Sequence, residues 1–324
     1  MTVPAAGPGV PVGPEPVAGP RAVAGAGAVL DDVESRPGSA TSLLRTIVGA
    51  YLHHAGGGTG GTEAIEVIEG IAAADLVALL GEMGVGPSSA RAAISRVKSH
   101  GLVQAVRVGS RPGYRVAPGA VPMLERGDRR IFSYRQQSED DPWCLVSYTV
   151  PEPRRAARHQ LRRHLTGIGC GRVATGLWIC PAHLAGEVEE ILAVLGLRDA
   201  ATLFVTGTPR TPGPFAVAAE RWWDLDGLAA RHREFLARHD VGRTPRAPGS
   251  LPGVDAGSEA RPREAFLRWT RVLDDWRPIP YLDPGLPPSA LPGAWPGRRS
   301  VETFARLHAE LAPAAHRYVG SVVG

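Results

Sequence analysis

The stretch Pro87-Ser-Ser-Ala-Arg-Ala-Ala-Ile-Ser-Arg-Val-Lys-Ser-His-Gly101-Leu-Val103 decides how this chain is read. Ala90, Ala93, Ile94 and Val97 recur at helical spacing and make a narrow apolar stripe. Pro87 with Ser88 or Ser89 supplies cap and first-turn chemistry, and Gly101 stands where a left-handed helix stop belongs. The other faces carry Ser88, Ser89, Arg91, Ala92, Ser95, Arg96 and Lys98. Such a helix can lie close against a duplex, with donors for phosphates and base edges. The same pattern also describes a solvated basic face on an ordinary amphipathic helix, so the flanking sequence has to decide.

Upstream, Ile71 to Met83 reads as a helix with Leu76, Leu79, Leu80 and Met83 inward, and Gly84-Val-Gly-Pro87 is a short turn. Downstream, Leu102 to Val108 reads as a strand, Gly109 to Gly113 as a turn, and Tyr114-Arg-Val116 as the returning strand. Helix, turn, helix and hairpin outline a winged helix, with Arg107, Arg111 and Arg115 placed against the phosphate backbone. Before it, Ser39 to His54 forms a helix with Leu43, Leu44, Ile47, Val48, Tyr51 and Leu52 inward, and Glu63 to Glu69 a short strand. The glycine run Gly56–Gly61 lacks the Gly-Lys-Ser/Thr ending of a phosphate-binding loop and reads as a flexible connection.

With 324 residues, 44% of them hydrophobic and 21% charged, the chain has room for two or three packed domains. A net charge of +4 is too small to argue about the whole chain, so local arginine clusters carry the electrostatic argument. Cys144, Cys170 and Cys180 form neither a disulfide framework nor a zinc ligand pattern; they read as core residues of a cytoplasmic protein. No apolar run reaches membrane-spanning length. Residues 1–38 are rich in Pro, Gly, Ala and Val and read as a disordered tail without the pattern of a signal peptide.

Val121 to Asp141 reads as a connector holding the charged knot Glu125–Arg130. Trp143 to Val150 is a strand, Arg154 to Leu165 a helix, Val173 to Cys180 a second strand, Ala185 to Leu197 a helix and Ala201 to Thr206 a third strand. That order predicts a ferredoxin-like or related α/β sandwich. The glycines of Gly167-Ile-Gly-Cys-Gly171 follow a helix and precede a strand, the reverse of a dinucleotide fingerprint. Arg154, Arg155, Arg158, Arg162 and Arg163 line the outer side of the first helix: a solvated face, or a contact to an anionic effector or DNA phosphate. The remainder is helical: Trp222 to His239, then a Pro/Gly segment from Val241 to Pro262, then Arg263 to Trp276, a proline loop to Pro287, and Val301 to Leu311 with Pro313 as a breaker. Trp269, Trp276, Trp295, Arg271, Arg277 and Arg298 either fill a helical core or line a pocket for an aromatic or phosphate-bearing ligand.

Several of these pieces, in this order, resemble the PaaX-type transcriptional regulators, the family named for the phenylacetic acid degradation repressor. They are Ala90–Arg96 with Gly101-Leu-Val103, Gly109–Tyr114, Arg129-Arg-Ile-Phe132, Trp143 with Pro151–Arg155, Leu161-Arg-Arg163, Gly176-Leu-Trp-Ile179 and Trp223-Asp-Leu225. Trp276-Arg-Pro-Ile-Pro280, Asp283–Pro287 and Trp295-Pro-Gly297 complete the set. Each is modestly specific, and the resemblance spans residues 39–320 apart from the insert near 241–260. It implies a homodimeric regulator, often a repressor of a catabolic pathway, whose named member responds to phenylacetyl-CoA. The expected organisation is a multidomain α+β protein. A tail spans 1–38, a winged helix-turn-helix DNA-binding domain 39–120, a connector 121–141, a ferredoxin-like dimerisation and effector domain 142–212, and a helical C-terminal domain 213–324.

The function expected is a ligand-responsive dimeric regulator of double-stranded DNA, without a cofactor and relieved by an aryl- or acyl-CoA thioester. Its DNA-binding residues are Ser88, Ser89, Arg91, Ala92, Ser95, Arg96, Lys98, Arg107, Arg111 and Arg115. Its candidate effector residues are Arg155, Arg158, Arg162, Trp269, Trp276, Arg277 and Trp295. The competing reading is a nucleic-acid-processing enzyme, because the central segment is also similar to the CRISPR-associated ferredoxin-like endonucleases. Those place a metal-binding aspartate at the end of the first strand, where this chain has Tyr148-Thr-Val-Pro151. Metal-assisted phosphodiester cleavage needs acidic oxygen ligands, and this stretch offers none.

Overall fold

The computed structural model describes residues 36–53, 68–240 and 261–323. The tail up to residue 35, the Gly56–Gly61 run, most of the strand expected over Glu63–Glu69, and residues 241–260 lie outside the described residues. The rest is a mixed α+β chain of several domains with two antiparallel sheets.

Helix α1, Ala40–Ile47, is capped by the Ser39 hydroxyl, which accepts from the Ser42 N–H (3.2 Å). It runs into a π-helical turn, Val48–Leu52. Its apolar face, Leu43, Leu44 and Ile47, is buried as expected, and Val48, Tyr51 and Leu52 continue it. The expected helix from Ile71 begins later. Ile71–Ala72 is a strand, β1, and helix α2 spans Ala73–Glu82. After the turn at Gly84 (φ +85°) comes α3, Pro87–Ser99. Its N-cap is Gly86, which makes no side-chain bond, so neither Ser88 nor Ser89 caps the helix. The stop is as read: Gly101 has φ +76°, and the Leu102 N–H reaches back to the Val97 carbonyl (3.2 Å).

Strands β2, Val103–Val108, and β3, Arg111–Val116, pair around a two-residue loop, Gly109-Ser110, rather than the five-residue turn expected. The sheet order is β1-β3-β2. Gly113 lies where β1 crosses closest: a Cβ there would stand 2.5 Å from the Ile71 carbonyl oxygen. The expected connector carries a helix, α4, Val121–Phe132, because Met123, Gly127 and Ile131 recur every four residues and bury one face.

The central part contains β4 (Trp143–Tyr148), α5 (Arg155–Gly167), β5 (Gly171–Ala174), β6 (Leu177–Pro181), α6 (Ala185–Val194) and β7 (Ala201–Thr206). The strands pair antiparallel in the order β5-β6-β4-β7. The single strand expected from Val173 to Cys180 is therefore a hairpin, turning at Gly176 with φ +79°. Both faces of the sheet are covered. Cys144, Val146, Tyr148, Trp178 and Cys180 pack with Leu161, Leu165, Val188 and Leu192 of α5 and α6. Trp143 and Ile179, on the other face, pack with Trp223, Leu225 and Leu286. The three cysteines are buried and unpaired by disulfides.

Beyond the sheet lie α7 (Phe215–Trp222), α8 (Leu225–His239), α9 (Pro262–Trp276), the short α10 (Ile279–Leu282) and α11 (Gly297–Val323). The helix expected from Trp222 to His239 is two, parted at Asp224, whose carboxylate accepts from the Gly227 N–H (2.9 Å) and caps α8. The helix expected to end before Pro313 runs through it, because Leu307, Leu311, Ala315 and Val319 stay on one buried face.

The first and last parts of the chain share one core. Leu44, Ile47, Leu76, Leu80, Ile94 and Val97 belong to the same cluster as Phe266, Trp269, Trp276, Phe304 and Leu311. At its edge, the Asp274 carboxylate, 1% exposed, accepts from the Gly38 N–H (2.6 Å), the Ser42 hydroxyl (2.6 Å) and the Thr46 hydroxyl (2.8 Å). It ties α1 to α9. Asp274→Ala leaves buried donors unpaired, each worth about 1–3 kcal/mol. The expected result is a destabilisation of at least about 2 kcal/mol in denaturant unfolding, and Asp274→Asn loses less because it keeps one acceptor. Pro313 is exposed in mid-helix. Pro313→Ala removes the proline penalty without a cavity and is expected to stabilise the protein by about 1–3 kcal/mol in the same assay.

Candidate nucleic-acid interface

The inward face of α3 is Ala90, Ala93, Ile94 and Val97, all buried. Three of these are alanine or valine, so α3 sits low on α1 and α2 and little bulk surrounds its outer face. That face holds Ser88, Ser89, Arg91, Ala92, Ser95, Arg96 and Lys98, every one exposed. The arginines differ in what they can offer. Arg96 turns back and donates from Nη1 to the Thr41 hydroxyl of α1 (2.6 Å). Arg91 and Lys98 have no hydrogen bond or ion pair among the described residues, so their cations face solvent.

The hairpin carries three further arginines. Arg107, Arg111 and Arg115 are all exposed, Arg111 and Arg115 on one face of the hairpin and Arg107, opposite Pro112, on the other. Arg107 donates to the Ser110 carbonyl (2.5 Å), which stiffens the loop. Arg111 forms a two-pronged pair with Asp75 in the first turn of α2, with both nitrogen–oxygen distances at 2.9 Å. Asp75 is well placed at a helix N-terminus, where the dipole favours a carboxylate. It also engages one of the three hairpin cations, which stays about half exposed.

The candidate effector residues are not brought together. On α5, Arg155 is exposed, Arg158 pairs with Glu152 (3.0 Å), and Arg162 is half-buried. Trp269 and Trp276 are core residues: the first stacks on His308 (5.0 Å), the second on Phe304 (4.8 Å). The Trp276 indole donates to the Ile131 carbonyl (3.0 Å). Trp295 lies edge-on to His232 (5.6 Å), Arg298 pairs with Glu302 on the surface, and Arg271 is exposed. Arg277 alone of this set lines a cleft. The shared pocket expected from these tryptophans and arginines is not assembled: Trp269 and Trp276 are buried in the α8–α9–α11 core, while the half-buried Trp295 packs at the edge of the Trp143–Trp223 cluster.

The structure also assembles a group that spacing did not suggest. The His232 ring lies 2.5 Å from the Ser300 hydroxyl through Nδ1 and 2.9 Å from the Asp283 carboxylate through Nε2. These are the residue types of a hydrolase triad. Here they are structural: His232 and Ser300 have no exposed surface, and the Ser300 hydroxyl also donates to the Gly297 carbonyl (2.8 Å). Asp283 further accepts from the Tyr134 phenol (3.0 Å) and the Gly285 N–H (2.9 Å). Burial and that carboxylate push the Tyr134 pKa well above the usual phenol value. At the end of β4 stand Tyr148, Thr149 and Val150, so no carboxylate occupies the place a metal-dependent nuclease would need. No described helix is long and apolar enough to cross a membrane.

No curated protein matches the chain. Among solved structures, the uncharacterized protein Rv0674 from Mycobacterium tuberculosis superposes with a TM-score of 0.50 at 18% identity, over 87% of this chain and 99% of that one. This is a likeness of fold. Three family profiles match in chain order: PaaX-like protein over residues 39–119, PaaX protein central Cas2-like domain over 136–216, and PaaX-like protein C-terminal domain over 223–321. Matched in this way from its first described helix to its last, the chain belongs to the PaaX-like family.

Proposed function

We propose that this protein is a ligand-responsive transcriptional regulator that binds duplex DNA through a winged helix at residues 39–120. The observation that carries the reading is the outer face of α3. Arg91 and Lys98 stand free there among small polar side chains, beside a hairpin of exposed arginines. In this reading α3 enters the major groove, with Arg91, Ser95 and Lys98 toward bases and phosphates and Ser88, Ser89 and Ala92 at the close approach. Arg107 and Arg115 lie along the backbone of the duplex.

The central segment, 142–212, is read as a ferredoxin-like dimerisation domain, supported by its two-helix, four-strand antiparallel topology. The exposed Phe204 and Val205 on the edge strand β7 offer an uncharged surface for a second copy. Two copies would place their α3 helices about 34 Å apart, one helical turn of a palindromic operator. Repression of a catabolic operon, relieved by an aryl- or acyl-CoA thioester in the cytoplasm, is the physiological setting that the family resemblance suggests.

Selection of bound sequences from a random duplex pool at fixed salt tests the reading, and a palindrome with half-sites one turn apart is the expected product. On that duplex, Arg91→Ala should weaken binding by about 1–3 kcal/mol and relax the preference at one base position. Lys98→Ala should weaken all sequences alike and reduce the salt slope by about one. Unchanged binding in both variants removes α3 as the reading helix. Asp75→Asn releases Arg111 and is expected to tighten binding and steepen the salt dependence; an unaltered slope would show that Arg111 stays away from phosphate.

A further inference from the structure

Between Glu152 and Glu187 the chain carries six arginines and no aspartate or glutamate. Four of them, Arg155, Arg158, Arg162 and Arg163, stand on α5, away from its buried side of Leu161, His164 and Leu165. Arg155, Arg158, His159 and Arg162 recur at three- and four-residue steps and form one stripe, with Arg163 on its flank. The fold uses some of this charge. Arg154, just before the helix, donates to the carbonyls of Leu195 (3.4 Å) and Gly196 (2.8 Å) after α6. Arg158 pairs with Glu152 (3.0 Å). Arg155 and His159 are exposed, and neither has a hydrogen bond, ion pair or ring contact among the described residues. Arg162 is half-buried, and its enclosed Nε has no hydrogen-bond partner.

This stripe works against its own helix. Like charges three and four residues apart repel, as Arg155 does Arg158 and Arg158 does Arg162. The dipole of α5 also disfavours a cation in the first turn, where Arg155 stands without any acid. Glu152, the nearest acid in sequence, answers Arg158 alone. Glu187 and Glu190 of the neighbouring α6 are taken by Arg130 and Arg126 of α4. A row of phosphates would relieve both penalties, and guanidinium forks fit phosphate oxygens in pairs. The stripe is also firmly seated. Leu161 and Leu165 belong to the central core, and the Ile168 carbonyl just after α5 accepts from Arg130 (3.0 Å).

We propose that the outer face of α5 is a second, sequence-independent DNA contact, in which Arg155, Arg162 and Arg163 meet the phosphate backbone of the duplex beyond the stretch that α3 reads. The inference rests on the regulator reading above for the identity of the polyanion and on α5 alone for the surface. A duplex is stiff over about 150 base pairs, so DNA held at α3 continues past the molecule and is available to a further cationic face. The other outward residues of α5 are Ala156, Gln160 and Thr166. A face of that kind lacks the aromatic and apolar anchors on which protein interfaces centre, and it has nothing to insert into a bilayer. Phosphate contacts need no such anchors; they add affinity without reading bases.

The test measures the affinity of the full chain for a random-sequence duplex across a salt series. Each phosphate contact contributes about 0.9 to the slope of log affinity against log salt. Combining Arg155→Gln, Arg162→Gln and Arg163→Gln should therefore lower the slope by about two to three and weaken binding at low salt at least about tenfold, with the fold checked by circular dichroism. Arg155→Glu is a second variant whose folding is not at risk, because the helix dipole favours a carboxylate there. Its thermal stability should hold or rise while its DNA affinity falls. The preference for a selected operator over the random duplex should match that of the natural chain in both variants. A salt slope unchanged in both overturns the contact; if Lys98→Ala still lowers the slope, the regulator reading survives that failure. A slope that falls in the α5 variants but not in Lys98→Ala, with Arg91→Ala also silent, overturns the α3 reading and leaves α5 as a DNA-binding surface. Phosphatidylglycerol vesicles form the last arm: vesicle binding lost in the α5 variants, with DNA binding unchanged, overturns the DNA assignment in favour of a lipid surface.

Discussion

Arg130 sends its guanidinium into three segments that lie far apart in the chain. Standing on α4, it bonds both oxygens of Glu187 on α6 (3.0 and 3.1 Å), the Ile168 carbonyl after α5 (3.0 Å) and the Pro280 carbonyl in α10 (3.1 Å). Its side chain is only 10% exposed. A cation so enclosed is tolerated only when its donors are nearly all satisfied, and the planar fork of arginine can satisfy several partners at fixed angles where a lysine cannot. Arg130 thereby ties the elements of the central domain to the shared core of the outer parts. The Asp283 carboxylate does similar work nearby, collecting Tyr134 from the connector and His232 from α8. Both sit in motifs that a reading from spacing treats as surface charge or proline loop.

Much of the fold was legible because local chemistry and burial agree. The small-residue stripe of α3, the stop at Gly101 and the strands at 103–116 and 143–148 each answer to a pattern a few residues long. What escaped was decided by distant partners. Val173 to Cys180 looks like one apolar strand because β6 is buried on both faces, by α5 and α6 on one side and by Trp223 and Leu286 on the other. Strands covered on both sides lose the alternation that would mark their ends, and only Gly176 signals the turn. Helix α4 was hidden by its charge: Arg126 and Arg130 read as a solvated knot, yet both reach across to Glu190 and Glu187 of α6. Pro313 reads as a stop because the rule considers backbone alone, whereas packing of one continuous face outweighs a penalty of about 3 kcal/mol.

The candidate interface shows a different limit. Which residues face outward on α3 follows from helical periodicity. Which of those cations is available does not, since Thr41 and Asp75 lie 55 and 36 residues from the arginines they hold. Composition treats Arg91, Arg96 and Arg111 as equivalent; the fold leaves the first open, braces the second against α1 and clamps the third to a helix N-terminus. The tryptophans mislead in the opposite direction. Trp269 and Trp276 invite a ligand-stacking role, but both are buried in the core shared by the first and last parts of the chain, and their neighbours His308 and Phe304 take the stacking faces.

In the proposed reading of α3 as the helix that meets DNA, how firmly α1 holds it is a question of magnitude. A ligand shifts an equilibrium only by the difference between its affinities for the two arrangements. The cost of the alternative arrangement is set by the contacts that α1 must give up. Those contacts divide unevenly. Toward α9, α1 is fixed by the buried Asp274 carboxylate through two short hydrogen bonds from Ser42 and Thr46, with a third from Gly38 just before the helix. Toward α3 it relies on apolar packing of leucine and isoleucine against Ala90, Ala93, Ile94 and Val97, with one exposed bond from Arg96 to Thr41. Apolar side chains slide at lower cost than a satisfied buried carboxylate detaches, so the α1–α3 joint would yield before the α1–α9 joint. By linkage, a ligand that lowers DNA affinity by that route must itself be bound more weakly by the DNA-bound form, and by the same factor.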